Sequence, residues 1–251
     1  MSKLNDRKQA AKQICIAAKQ YKKKLVGKTF LYVFDGRYIE VMFKTSNFKH
    51  LTGVESNLSA KSFYKLAVDG KLQGTQIFFS AQHPFQLSKR KIQHINNISN
   101  LATSESFLLE DITTSTQTYK FGSTDLNFTL CFNKQNPTGI KSDAYFTVES
   151  LRDEDCFDRS ANVYSITHIL ARANDIPIYT DVLYIEKGKS LSDIPQSVFS
   201  KLSAELKQQS NLLINNYKFS FSRATQKAFA EKAAEKPMQQ HNDKSKDDIT
   251  H

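Results

Sequence analysis

The sequence predicts an α+β domain in which helices cover one face of an antiparallel β-sheet. Helical periodicity over residues 3–25 and from about residue 87 to residue 101 places helices early in the chain, and a hairpin signal at Asp35-Gly36 places the first strands between them. Segments rich in aromatic and β-branched residues follow at short intervals over residues 117–188, which is typical of a meandering antiparallel sheet. Helices and strands grouped in this way form α+β architectures.

The composition indicates a globular protein of the cytoplasm. The chain has 251 residues, of which 39% are hydrophobic, and this is enough for one sizeable core. The three cysteines are scattered and form no CxxC pair, unlike a disulfide framework or a thiolate zinc site. No apolar run approaches the roughly 20 residues that a membrane span needs, and the first residues do not resemble a secretory signal. We therefore expect a soluble protein without a membrane partner.

The net charge of +10 is concentrated near the N-terminus, where residues 1–24 carry eight Lys or Arg and one acid, Asp6. Apolar residues at helical spacing predict that residues 3–25 form a helix with one buried face. That face comprises Leu4, Ala11, Ile14, Ala18, Tyr21 and Leu25. The lysines on the other face are explained either by a solvated helix surface or by an arm that contacts phosphates.

The segment KTFLYVFDGRYIEVMFK predicts a β-hairpin, because Asp35-Gly36 suits a two-residue turn with positive φ. The second strand ends just before TSNFKHLTG, which places His50 in the loop after a strand. Residues 58–72 predict a short helix with Ser59 as its N-cap. The TQIFF segment that follows is compatible with a further strand.

Further strands are predicted in the second half of the chain, in QTYKFG, LNFTLCFNK, DAYFTVES, NVYSITHILAR and IPIYTDVLYIEKG, with STD as the turn between the first two. Residues 192–215 predict a helix that is entered through Asp193 and Pro195. The end of the chain is alanine- and charge-rich and then polar, which predicts a frayed helix and a disordered tail. The expected organisation is a basic helix over residues 1–24, an α+β domain over 25–215 and the tail over 216–251.

The motifs that are absent narrow the chemistry. The sequence contains no P-loop, no dinucleotide-binding glycine motif, no nucleophile elbow and no HExxH. The acidic run Asp153–Asp155 is interpreted as a solvated loop, with a metal site as the alternative. We expect chemistry without a metal or other cofactor. RNA carries its own nucleophile, the 2′-hydroxyl, so its cleavage needs a base, an acid, and positive charge or donors at the phosphate.

His50 and the segment Tyr145–Arg152 carry side chains suited to these tasks. Histidine has an unperturbed pKa of roughly 6.5 and can serve as base or acid, and Gly53 permits a close chain turn after His50. Ser150 and Arg152 lie two residues apart in a predicted strand and should share a face, where a hydroxyl and a guanidinium can bind phosphate. A structural role for His50 and a plain surface position for Arg152 are the alternatives.

The segments NFKHLTGV, SAKSFYKLAVDGKL and ESLR resemble the phage-associated branch of the Barnase–EndoU–Colicin–RelE-like (BECR) nucleases. The resemblance spans about residues 25–190 and implies N-terminal helices on a curved antiparallel sheet, with RNA cut on the concave face without a metal. The implied catalytic residues are His50, Thr52, Ser150 and Arg152. The expected substrate-binding residues are Lys44, Lys49, Lys61 and Tyr64.

Three functional hypotheses follow. The first is a cytoplasmic endoribonuclease, a toxin or phage-defence effector that cuts RNA, with tRNA as one option, and leaves a 2′,3′-cyclic phosphate. Its partner would be an acidic antitoxin or immunity protein. The second is a non-catalytic nucleic-acid-binding or phage accessory protein. The third is an interaction module whose basic helix docks on an acidic partner.

Overall fold

The structure is a computed structural model that describes residues 3–81, 83–134 and 145–210. Residues 1–206 form one compact unit, and the predicted tail over 216–251 lies outside the described residues. The helices are α1 (Lys3–Lys24), α2 (Phe48–Leu51), α3 (Ala60–Val68), α4 (Phe85–Leu101) and α5 (Gln196–Phe199), and residues 204–210 are also helical. In this described part of the chain, none of the helices combines the length and apolar character that a membrane crossing requires.

The strands are β1 (Lys28–Phe34), β2 (Arg37–Met42), β3 (Phe107–Thr113), β4 (Thr118–Thr124), β5 (Thr129–Lys134), β6 (Tyr145–Arg152), β7 (Ser160–Ser165), β8 (His168–Ala173) and β9 (Asp181–Ile185). Within the described residues they form one open sheet of nine strands in the order β7-β3-β4-β5-β6-β2-β1-β8-β9. The pairing of β2 with β6 is parallel, and the other pairings are antiparallel. The predicted α+β fold, with helices on a mostly antiparallel sheet, is confirmed.

Helix α1 belongs to the main hydrophobic core. Its residues Ile14, Ala18 and Tyr21 are buried and pack, together with α3 and α4, over inward side chains of the sheet such as Phe30. The predicted helix and its buried face are confirmed, except that Leu4 remains 46% exposed. The charged end of the chain is therefore anchored in the domain through one helix face, and its lysines lie on the other.

Strands β1 and β2 form the predicted hairpin. Asp35 and Gly36 have φ values of 46° and 67°, and Phe34 pairs with Arg37 across the turn. Positive φ at both central residues is the geometry of a two-residue hairpin turn. Because β1 also pairs with β8 and β2 with β6, the hairpin occupies the middle of the sheet and directs the following chain towards β6.

The other face of the sheet carries a second core. Leu31 alternates along β1 with Phe30 and packs with Leu170, Tyr179 and Val198, so the segment after β9 covers this side of the sheet. The two faces of β1 are thus buried by different parts of the chain, which explains why this strand is apolar from Phe30 to Phe34.

Polar residues meet around Tyr179 of this second core, and we call this set the balanced cluster: the buried residues Glu40, Arg172 and Tyr179 and the half-buried Tyr145. The Glu40 carboxylate lies 3.8 Å from Arg172 Nη2 and accepts a hydrogen bond from Tyr179 Oη. Arg172 Nη2 donates to Tyr145 Oη at 3.0 Å, and Nη1 donates to three backbone carbonyls between residues 173 and 176. Each charge is therefore matched by an opposite charge or by hydrogen bonds.

One turn was predicted in the wrong place, one predicted strand does not form, and one observed strand was not predicted. The STD segment belongs largely to β4, and the turn lies at residues 125–128, where Thr124 Oγ1 donates to the Phe128 carbonyl at 2.7 Å. TQIFF forms no strand; only Phe78 makes a bridge, to Glu55. The segment FLLEDIT, for which we predicted no strand, is β3, which lies between β7 and β4 next to one edge of the sheet.

The NVYSITHILAR segment contains two strands rather than one. Strand β7 pairs with β3 and strand β8 pairs with β1, so the chain changes position in the sheet between them. The change occurs at Ile166 and Thr167, whose backbone N–H groups donate to Ser106 and Val33 on different parts of the sheet. Alternation of side chains continues across this break in the sequence, which is why the pattern looks like a single strand.

The helix predicted over residues 192–215 is interrupted. Residues 191–193 form a 3-10 turn, and Pro195 precedes the short helix α5. Proline disfavours helical backbone in the residue before it, and Ile194 is accordingly extended. Leu202 then bridges Tyr179 in a strand-like contact before helical structure resumes at residue 204. Residues 211–215 lie outside the described residues.

Candidate active site

The candidate site begins where β2 and β6 separate. Their parallel pairing covers residues 40–42 and 145–147 only, after which β2 ends while β6 continues to Arg152. Helix α2 takes the place of β2 beside the second half of β6, and Asn47 Nδ2 donates to the Val148 carbonyl at 2.5 Å. Side chains of a helix therefore meet those of a strand end at this point.

His50 lies on α2 and is exposed to solvent, whereas Phe48 and Leu51 on the same helix are fully buried. The prediction that His50 lies in a loop is wrong, because residues 45–47 form a 3-10 turn that leads directly into α2. Phe48 packs edge-on against Tyr21 of α1, with ring centroids 5.1 Å apart, and holds the helix in place. The imidazole is thus presented outward from a rigid base rather than packed in the core.

Gly53 follows α2 in the chain and packs against α4. Its φ is +65°, and a Cβ at this position would lie 2.8 Å from Cδ of Lys91, so the residue must be small for the lysine stem to pass. Ser88 Oγ donates to the Gly53 carbonyl at 2.7 Å. These contacts place Lys91, one turn further along α4, beside the chain that follows His50.

The surroundings of His50 disfavour its charged form. His50 is exposed as a residue, but its neighbours remove part of the hydration of the ring, and this loss lowers the pKa of His50 below its ordinary value. The positive charges of Lys91, His83 and Arg152 lower the pKa further, and the Glu149 carboxylate acts in the opposite direction. We call His50, His83, Lys91 and Arg152 the cationic cluster.

The positive charge of Arg152 acts on Lys91. Burial lowers the pKa of Lys91, the charge of Arg152 lowers it further, and Asp153 partly opposes these effects. Among the residues that the structure describes, none forms a hydrogen bond or an ion pair with Lys91 Nζ, in contrast to the ion pairs seen elsewhere. A lysine without an ion pair, whose pKa is lowered by burial and by the charge of Arg152, favours an anionic ligand.

Arg152 ends β6 and is positioned by the β3–β4 hairpin. Its Nη2 donates to Tyr119 Oη at 3.0 Å and to Thr114 Oγ1 at 3.3 Å, and the guanidinium carbon lies 5.5 Å from the centre of the Tyr119 ring. Its Nε is buried and has no hydrogen-bond partner among the described residues. An unpaired buried donor is costly, and the hydrogen bonds from Nη2 hold the Arg152 side chain in place against this cost.

A β-bulge at Glu149 shapes the end of β6. Val148 pairs with Phe132 and Ser150 with Cys131, so Glu149 is the extra residue, and its Oε2 accepts a hydrogen bond from Asn133 Nδ2 at 3.0 Å. Leu151 packs into the helix-covered core. Ser150 and Arg152 therefore share the other face, as the alternation predicts, but Ser150 is only 4% exposed.

Two of the predicted residues near His50 support the backbone instead of facing solvent. Thr52 is fully buried, and its hydroxyl donates to the Lys49 carbonyl at 2.7 Å. Lys49 Nζ donates to the carbonyls of Ser56 and Leu58, both at 2.7 Å. These bonds fasten the turn after α2, so the hydroxyl and ammonium that we expected to meet substrate are engaged within the protein.

The remaining predicted substrate-binding residues surround α3 and the end of β2. Lys61 is exposed on α3 and Lys44 is half-buried. Tyr64 packs against Phe48, with ring centroids 5.4 Å apart, and burial raises the pKa of Tyr64 to about 12. Its Oη is buried and has no partner among the described residues. The ring of Tyr64 thus supports the helix that carries His50.

The acidic run after β6 is engaged by neighbouring side chains. Asp153 accepts from Arg90 Nε and lies 2.7 Å from His94 Nε2; burial raises its pKa, but these contacts outweigh burial, and the pKa of Asp153 is lowered overall. Glu154 pairs with Arg159 at 3.0 Å. In the part of the chain that the structure describes, no group of three or more His, Cys, Asp or Glu residues is arranged to hold a metal ion.

The structure adds His83, Lys91 and Glu149 to the site. The sequence shows His83 only as a loop residue and Lys91 as one of several basic residues on α4. Lys91 differs from Lys89 in lying next to Ile92, which is on the buried face of α4. This difference points to Lys91 only once the contact between Gly53 and α4 is known. His168, on β8, is fully buried, with Nε2 2.9 Å from the Ser190 carbonyl.

Comparison with known families supplies the context for this cluster. Residues 13–188 match the family described as phage-Barnase-EndoU-ColicinE5/D-RelE like nuclease 4 (PBECR4), which is well over half of the 251-residue chain. The chain belongs to this family. No curated protein and no solved structure matches the chain. The resemblance to BECR nucleases is confirmed, and all members of the cationic cluster lie inside the PBECR4 match.

Proposed function

We propose that this PBECR4 protein is a metal-independent endoribonuclease that cuts RNA by attack of a 2′-hydroxyl on the adjacent phosphorus. The observation that carries the proposal is the cationic cluster, in which His50, Lys91 and Arg152 come from three separate elements and influence one another electrostatically. Membership of a nuclease family supports a nucleic-acid substrate. The nucleophile belongs to RNA itself, so the protein needs only to move protons and to stabilise charge at the phosphate.

His50 is the proposed general base. Its lowered pKa keeps the imidazole largely neutral near pH 7, so that it can accept the proton of the 2′-hydroxyl as the O2′–P bond forms. Lys91 and Arg152 stabilise the negative charge that builds up on the phosphoryl oxygens. As the P–O5′ bond breaks, His83 supplies a proton to the leaving 5′-oxygen. The products are a 2′,3′-cyclic phosphate and a 5′-hydroxyl.

The decisive experiment incubates total RNA and a tRNA pool with the wild-type protein and with His50→Ala, both in EDTA. We expect fragments with 2′,3′-cyclic phosphate ends from the wild type only. An oligonucleotide with a single 2′-deoxy residue at the mapped cut site provides a matched substrate control, because it keeps the phosphate and removes the nucleophile. Circular dichroism and thermal melting establish that His50→Ala is folded.

Cleavage of the 2′-deoxy substrate, a requirement for added divalent metal, or full activity of His50→Ala would each overturn the proposed mechanism. RNA that is bound with steep salt dependence and left intact would support the alternative function, a non-catalytic nucleic-acid-binding or phage accessory protein. The net charge of +10 favours nucleic-acid binding under both outcomes.

We further propose that the activity serves as a cytoplasmic toxin or phage-defence effector that an acidic antitoxin or immunity protein restrains. The phage association in the family description and the strongly basic chain support this role. Induced expression of the wild type should arrest growth, whereas His50→Ala should not. A small acidic protein encoded nearby should co-purify with both forms. Equal growth with the wild type and His50→Ala would overturn the toxin role.

A further inference from the structure

A groove lies between α1 and residues 70–75, and none of its lining residues belongs to the cationic cluster. It encloses about 510 Å³, and α1 contributes Lys8, Lys12 and Lys19 to its lining. On the other side Gly74 approaches the helix so closely that a Cβ there would lie 2.7 Å from the Lys8 backbone nitrogen. The groove is therefore built by a close contact that only glycine allows.

The charge in this groove is of one sign. Its lining contains three lysines and no carboxylate. The ammonium groups of Lys8, Lys12 and Lys19 are exposed and make no hydrogen bond or ion pair with residues that the structure describes. With a rise of about 1.5 Å per residue, the first two lysines are separated by about 6 Å along the axis and the last two by about 10 Å. The result is a row of positive charges along one wall.

We infer that this groove binds the phosphate backbone of single-stranded nucleic acid. The inference deepens the proposed function: it rests on a nucleic-acid substrate but not on the chemistry at His50. It also distinguishes between the two explanations for the lysine-rich face of α1, since a purely solvated surface has no groove beneath its charges. A strand held here would be retained by the protein independently of the residue being cut.

The lining favours phosphates over bases and over a protein partner. It contains no aromatic side chain on which a base could stack. It also contains no arginine, and lysine is depleted in protein–protein interfaces, where aromatic residues and arginine are enriched. Contacts between lysine and phosphate are independent of sequence and depend strongly on salt. The groove should therefore add affinity without adding sequence preference.

The test measures binding of a labelled single-stranded DNA oligonucleotide by fluorescence anisotropy at several salt concentrations, in the full-length His50→Ala chain. Neither the ligand, which lacks a 2′-hydroxyl, nor the variant allows the proposed cleavage. Replacement of the three groove lysines, K8Q/K12Q/K19Q, is compared with K22Q/K23Q/K187Q, in which three exposed lysines outside the groove are replaced. The arginine variant K8R/K12R/K19R keeps the charge.

With about 0.7 counterions released per single-strand phosphate contact, the plot of log K against log salt should become less steep by about 2 in the groove variant. The control variant and the arginine variant should both keep the slope of the His50→Ala parent. Equal slopes for the groove and control variants would overturn the inference. Tighter binding of polyglutamate that depends on the same lysines would also overturn it and would assign the groove to an acidic polypeptide. A slope change in the groove variant, together with a wild-type protein that leaves RNA intact, would uphold the groove while the proposed ribonuclease fails.

Discussion

Arg172 and Arg152 both donate to a tyrosine hydroxyl at 3.0 Å, yet their surroundings differ. Arg172 is 6% exposed and faces Glu40, so its charge is compensated inside the protein. Arg152 is half-buried and forms no ion pair with a carboxylate among the described residues, and its positive charge helps to lower the pKa values of His50 and Lys91. The balanced cluster thus has the character of a structural ion pair, whereas the cationic cluster has charge that the protein does not neutralise.

The comparison shows that one sheet places similar side chains in two different electrostatic surroundings. A buried pair that loses one member is strongly destabilised, because the other charge stays buried. A cluster of like charges costs stability when the protein is empty and favours an anion when one is present. Mutations in the two clusters should therefore separate cleavage from folding.

The largest expected effect is on cleavage in His50→Ala. Loss of the general base should reduce the rate about 10²- to 10⁴-fold, while the free energy of unfolding stays near that of the wild type because His50 is exposed. Single-turnover cleavage of a defined RNA oligonucleotide measures the first quantity, and urea unfolding measures the second. A large fall in stability would mean that His50 belongs with the structural residues.

Arg172→Met should have the opposite profile. It removes the cation from the balanced cluster and leaves Glu40 buried, which should lower the free energy of unfolding by about 3–5 kcal/mol. The cleavage rate per folded molecule should be unchanged at a temperature where the variant is folded. The double variant Glu40→Gln/Arg172→Met should recover part of the loss. A single variant as stable as the wild type would contradict the assignment of this cluster.

Lys91→Ala should lower the cleavage rate by about 10²-fold through loss of charge stabilisation at the phosphate. Lys89→Ala is the matched control, because Lys89 is exposed on the same helix and does not act on His50. Steady-state kinetics with one RNA oligonucleotide measures both variants. Equal effects of the two substitutions would indicate a general loss of positive charge rather than a specific role for Lys91.

The smallest effect concerns pH. The pKa of His50 is lowered, so the acidic limb of kcat/KM should lie below about pH 6.5, the ordinary value for histidine. Removal of the Lys91 cation should move this limb towards higher pH, since one cause of the lowering is lost. Titration of the His50 ring by NMR in the wild type and in Lys91→Ala gives the sign directly. A limb that stays in place would show that Lys91 and His50 are not coupled.

Local signals predicted a large part of the fold. The Asp35-Gly36 turn and the apolar face of α1 were confirmed, as was the Ser59 cap, whose hydroxyl accepts from the Ser62 N–H at 3.2 Å. Each depends on residues close together in sequence. The parallel pairing of β2 with β6 could not be predicted in this way, because it joins residues about one hundred positions apart and neither strand differs in composition from its antiparallel neighbours.

The site was predictable only in part, for the same reason. His50 and Arg152 stood out by residue type, and the structure places them within electrostatic reach of each other. Thr52 was chosen from the same motif, but a hydroxyl three residues from a carbonyl can close a local turn, and this is what it does. Lys91 could not be separated from its basic neighbours without the contact between Gly53 and α4.

The parallel pairing of β2 with β6 brings together residues that are made at different times during synthesis. His50 and Lys91 are made before Arg152, and the arginine reaches them only after β6 pairs with β2 and β5. A growing polypeptide therefore holds an incomplete set of groups until that strand has emerged from the exit tunnel. An endoribonuclease assembled in this order completes its active site late in synthesis, which limits cleavage of the RNA of the ribosome that is making it.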